Sequence, residues 1–176
     1  MRLPIVILVC VFCALCSPGS LLAQKSADMP VQLLDHLTGN WVLQGTIAGK
    51  ATTHDVQAAW VLNREYVQMH EVSREKNSAG GPAYEAIVFL SWDAKPQQYT
   101  CLWLDSTAGG GLSAEGLAHA DLAGDSIPLV FTLSPSDQIR NTFSYDKTAD
   151  TWRWVIDSVE KGQTQRFADV TLTRAK

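Results

Sequence analysis

From Gly39 to Arg174 apolar and polar residues alternate with a period of two, the spacing of strands that bury one face. Ten runs can be marked off: Asn40–Ala48, Thr53–Leu62, Glu65–Arg74, Ala83–Trp92, Gln97–Asp105, Leu112–Asp121, Ser126–Leu133, Gln138–Tyr145, Thr151–Val159 and Gln165–Arg174. Turn formers separate them. Asn63-Arg64 suits a tight hairpin, because Asn tolerates positive φ. Glu75 to Pro82 reads as a loop, Asp93-Ala94-Lys95-Pro96 as a turn, and Thr107 to Gly111, with three consecutive glycines, as a mobile rim turn.

Within a run the alternation sorts side chains onto faces. Tyr99, Cys101 and Trp103 share one face, and Thr100, Leu102 and Leu104 the other. Trp152, Trp154 and Ile156 oppose Arg153 and Asp157. In Ala83–Trp92 both faces are apolar, which predicts cover on both sides, from the lumen and from a helix or neighbouring loop. Before the strands, Asp28 to Leu37 predicts one short helix: Asp28 can cap it, Pro30 lies in its first turn, and Val31, Leu33, Leu34 and Leu37 fall on one face. A ten-strand meander leaves two unpaired edges unless it closes. The expected fold is therefore all-β: a roughly ten-stranded antiparallel up-and-down barrel with a short N-terminal helix. A two-sheet sandwich is the alternative.

The first residues change the cellular picture. Arg2, an apolar run of about fourteen residues from Leu3 to Cys16, and Ala23 after a break at Ser17-Pro18-Gly19-Ser20 have the three parts of a cleavable export signal. The run falls short of the about twenty residues of a spanning helix. A lipoprotein cut needs a small residue before its cysteine, and Val9, Phe12 and Leu15 stand there instead. Residues 1–23 are thus expected to leave as a signal peptide, with 24–176 as a single periplasmic or secreted domain and no membrane span. Three of the four cysteines leave with the signal, so Cys101 has no disulfide partner and stability must come from packing. Without Arg2 the rest carries thirteen basic and eighteen acidic side chains and no basic cluster, which argues against nucleic-acid and anionic-membrane partners.

Candidate chemistry is sparse. His36, His54, His70 and His119 are scattered, with no metal-ligand spacing, and neighbouring His70 and Glu71 point to opposite faces of a strand. No Gly-x-Ser-x-Gly elbow occurs. Cys101, mid-strand between Tyr99 and Trp103, reads as a packed thiol. The remaining candidates are polar residues set among apolar ones: Gln68, His70, Glu85, Asp105, Arg140, Asn141, Arg166 and Asp169. Either they face water, or they point inward and need a partner or a ligand. An inward Arg140 would suit bidentate capture of an anionic group. Six tryptophans allow an aromatic-lined pocket.

The opening Leu34-x-x-Leu37-Thr38-Gly39-Asn40-Trp41 resembles that of calycin barrels, where Gly-x-Trp begins the first strand. Together with Trp60-Val61-Leu62, Asp105-Ser106, Arg140-Asn141-Thr142-Phe143 and the ending Phe167 to Arg174, the chain is similar to a bacterial family of unknown function with a lipocalin/nitrobindin-like calycin barrel. The resemblance implies an apolar ligand in the barrel mouth. Nitrobindin-like members bind haem through a late histidine, whereas the last histidine here is His119, before the final three strands, so haem is disfavoured and the cofactor stays unknown. The expected function is non-catalytic binding of a hydrophobic or amphipathic molecule, with Tyr66, His70, Trp103 and Arg140 as ligand-binding candidates and neither catalytic nor metal residues. The alternatives are an enzyme acting on a small hydrophobic substrate through His70 or Asp105, and a structural envelope protein with a filled lumen.

Overall fold

The computed structural model describes residues 30–107 and 111–176. The expected export signal, the expected cap at Asp28 and most of the glycine run lie outside them. Helix α1 (30–37) leads into ten strands: β1 (Gly39–Ile47), β2 (Lys50–Val61), β3 (Tyr66–Ser73), β4 (Glu85–Asp93), β5 (Gln98–Asp105), β6 (Leu117–Asp121), β7 (Ser126–Thr132), β8 (Asp137–Asp146), β9 (Thr151–Glu160) and β10 (Gln163–Arg174). Each pairs antiparallel with the next, and β1 pairs with β10 from Trp41↔Arg174 to Ile47↔Ala168, closing the barrel. Closure removes both edges of the meander. At this seam Gly45 is required by space: a Cβ there would sit 2.3 Å from the Asp169 carbonyl oxygen and 2.7 Å from the Val170 Cα.

Two elements depart from the alternation. Only Leu117–Asp121 of the run from Leu112 is a strand; Ala114–Gly116 forms a single tight turn whose Ser113 side chain accepts from the Glu115 amide. The chain can pass there because Gly116 comes so close to the Trp103 carbonyl that a Cβ would lie 2.8 Å from its oxygen. In β10 the register shifts between Arg166 and Ala168, and this bulge leaves Phe167 turned out at the rim, half exposed. The hairpin between β2 and β3 is tight, as Asn63 suggested, with Leu62, Asn63 and Arg64 all at positive φ (49°, 56° and 66°).

Helix α1 closes one end of the barrel. Leu33, Leu34 and Leu37 are buried against Trp41, Trp152 and Tyr99. A helix end leaves carbonyls without intrahelical partners, and here side chains of the barrel supply donors. Trp41 Nε1 donates to the Leu37 carbonyl (2.8 Å) and Trp152 Nε1 to that of His36 (3.3 Å). Arg174 donates to the carbonyls of Thr38 (2.6 Å) and His36 (3.2 Å), its guanidinium 3.7 Å from the centre of the Trp41 ring. A cation at this end also suits the helix dipole. Because α1 lies across the barrel end, it does not cover the outer face of β4, where Ile87 and Phe89 remain half-buried.

Candidate functional site

The α1 end of the lumen holds buried core side chains, among them Leu34, Leu37, Trp41 and Trp152; the other end is open. A cavity of about 1130 Å³ occupies it, walled by Trp103, Phe131, Ile139, Trp154 and Ile156. It reaches the surface, since exposed Leu112 and half-exposed Phe167 also line it. Trp103 and Trp154 meet with ring centres 5.4 Å apart, Phe131 sets its edge on Trp103, and Trp154 stacks on Phe143 beneath. Trp154 Nε1 donates to buried Asn141 Oδ1, and Trp103 Nε1 to Tyr84 Oη (3.3 Å). The indole edges are thereby satisfied and the ring faces are left to form the wall.

One side of this wall is polar. The parity that buries Val56 and Ala58 on β2 also turns His54 inward, and the parity that buries Val67 and Met69 on β3 turns Glu71 inward. The two residues are 4% and 1% exposed, and His54 Nδ1 lies 2.5 Å from Glu71 Oε1. His54 Nε2 is 2.8 Å from Thr52 Oγ1, which donates to Glu75 Oε2 (3.2 Å) at the rim. A relay therefore runs from the mouth inward: Glu75, Thr52, His54, Glu71. Burial pushes the Glu71 carboxyl above the ordinary carboxylate range, opposed by its bond to His54. Backbone amides of Glu75 and Thr53 hold Glu75 below that range. Burial, with the carboxylates of Glu71 and Asp105, raises the Tyr84 hydroxyl. Among the described residues, Glu71 Oε2 is the one buried side-chain polar atom without a hydrogen-bond partner.

Of the four residues expected to bind ligand, the structure brings only Trp103 to the cavity. Tyr66 is 40% exposed, outward beside inward-facing Val67. His70, one residue from Glu71, faces outward by the same parity and pairs with Glu85 (2.7 Å) on the outer surface. Arg140 is exposed while its neighbour Asn141 is buried, so its guanidinium does not face the lumen. Asp105 does line the cavity, and its Oδ1 accepts from the Thr107 amide and hydroxyl. Sequence reasoning passed over His54 and Glu71. Their signal was parity: a charged side chain in step with Val67 and Met69, and a histidine in step with Val56 and Ala58. Cys101 is buried, and its thiol is pushed up by that burial, which suits packing.

The cavity offers haem no histidine with a free ring nitrogen. Of the four histidines only His54 lines it, and both of its ring nitrogens are engaged, by Glu71 and by Thr52. His36 stacks on Tyr145 at the α1 end, His70 lies outside the barrel and His119 is exposed.

No protein-family model and no curated protein matches the chain. Among solved structures, the crystal structure of Rv2717c from M. tuberculosis is similar, with a TM-score of 0.55, covering 83% of this chain and 97% of that one at 15% identity. At that identity the likeness is one of fold: a β-barrel protein.

Proposed function

We propose that this chain is an exported, calycin-like barrel that binds a small, mostly apolar molecule in the open half of its lumen without transforming it. The cavity carries the reading. Binding sites are concave, mostly apolar and provided with a few placed polar groups, at roughly 300–1,000 Å³; this one is about 1130 Å³, with aromatic walls and one polar side. A structural protein with a filled lumen would have no such space. The calycin-like opening at Gly39-Asn40-Trp41 supports the same reading, and the leader-like residues 1–23 support export.

Trp103 and Trp154 in the cavity wall provide the readout. Titration with apolar dyes and lipids is expected to change tryptophan emission, with native mass spectrometry showing a one-to-one complex. Silence in both measurements across such a panel would remove the binding reading. Export has its own check: the chain recovered from the envelope or medium is expected to begin near residue 24. An intact Met1 start in the cytoplasmic fraction would overturn it.

A further inference from the structure

The orphan oxygen on Glu71 narrows the class of ligand, and the narrowing rests on the cavity being a binding site. Its protonation follows from counting hydrogens along the relay. Glu75 is ionised and can only accept, so the single Thr52 hydroxyl proton goes to it. His54 Nε2 must then donate to Thr52 Oγ1, which fixes a proton on that ring nitrogen. At 2.5 Å, His54 Nδ1 and Glu71 Oε1 cannot face each other with two lone pairs, so one proton lies between them. Whether it belongs to nitrogen or oxygen, Glu71 Oε2 carries none. It is an acceptor, 1% exposed with its residue, on the cavity wall and without a donor.

Charge points the same way. In both proton positions the four-residue relay holds one net negative charge: ionised Glu75 beside either a neutral pair or an ion pair. Among the described residues, Asp105 and Glu115 also line the cavity, against a single lysine, Lys50. A buried acceptor without a donor costs free energy that a charged donor recovers most fully. A carboxylate ligand would add a second acceptor and a second negative charge.

We infer that the barrel selects amphiphiles whose polar end is a cationic hydrogen-bond donor, a primary ammonium on an apolar chain, placed against Glu71 Oε2. The apolar chain lies along Trp103, Phe131 and Trp154, and the ammonium neutralises the relay.

The test uses three ligands of equal chain length, n-octylamine, n-octanol and n-octanoate, titrated at neutral pH by calorimetry and tryptophan emission. Octylammonium is expected to bind at least about tenfold tighter than octanoate, with octanol between, as one charged hydrogen bond implies. In Glu71→Gln the octylammonium advantage is expected to shrink about tenfold while octanol changes little. Octanoate or octanol binding as tightly as octylammonium would overturn the inference and leave the binding reading standing. An unchanged ranking in a folded Glu71→Gln variant would do the same, and if that variant does not fold, the wild-type ranking decides. Absence of binding by all three, together with silence toward dyes and lipids, would remove the binding reading itself.

Discussion

Replacing His54 by leucine is expected to destabilise the barrel by about 3–5 kcal/mol at neutral pH, the cost of breaking a buried pair from one side. Both oxygens of Glu71 would then lack partners inside a wall where the residue is 1% exposed. The pH dependence has a definite sign. Burial raises the folded-state pKa of Glu71 above its ordinary 4.5, and His54→Leu removes the bond that opposes the rise. A group with a raised carboxyl pKa carries no penalty below its unfolded value, where both states hold the proton. The penalty grows as pH climbs through and above that value. The loss in His54→Leu is therefore expected to be smaller near pH 4 than near pH 7. Acid also weakens the wild type, because Asp55, Asp150 and Asp169 are held low by Arg74, Arg174 and Arg153. That effect is common to both proteins and cancels in the difference. The double variant His54→Leu/Glu71→Leu removes both polar groups, and is expected to recover most of the loss while losing any preference for cationic ligands. Urea denaturation of the four proteins of this cycle at two pH values measures it. A single variant as stable as wild type at neutral pH would show that the pair is not buried in solution.

Replacing Trp152 by alanine is expected to cost about 3–5 kcal/mol, the range for a fully buried tryptophan, or roughly 10–15 °C in Tm for a domain of this size. Trp152 is 0% exposed; it sets an edge against Phe143, lies 5.0 Å from Tyr145 ring to ring, and donates to the His36 carbonyl. It therefore joins the packed half of the lumen to helix α1. The alanine variant leaves a hole at the closed end and one helix-terminal carbonyl without its indole donor. Because the cavity lies at the opposite end, ligand affinity in the folded fraction is expected to change little. Calorimetric melting with and without n-octylamine separates the two effects. A Tm within about 3 °C of wild type, equivalent to roughly 1 kcal/mol, would mean that α1 is not seated as described.

These two residues illustrate different degrees of legibility. Trp152 could be assigned to the interior from the chain alone, because Trp152, Trp154 and Ile156 alternate with Arg153 and Asp157 and only one of those faces can meet a core. Trp103 was less legible, because Leu102 and Leu104 make the opposite face of its strand apolar as well. His70 and Arg140 were not legible, because polar residues occupy both faces of their strands, and a mid-strand charge is compatible with water or with a buried partner. In β3 the decision turned on one step of parity, which places Glu71 inside and His70 outside.

The amino-acid sequence by itself determined the local state of nearly every segment. Alternation, turn formers and one short apolar stripe suffice for ten strands and a helix, since each depends on neighbours within a few residues. Tertiary structure decided what those segments enclose. Closure of β1 on β10 joins the two ends of the barrel domain, α1 fills one end of the lumen and not the other, and His54 meets Glu71 from seventeen residues away. None of these is a property of a window of sequence. Strand stagger and barrel closure set which inward side chains lie at the same depth, and depth separates a packed core from a cavity with an acceptor in its wall.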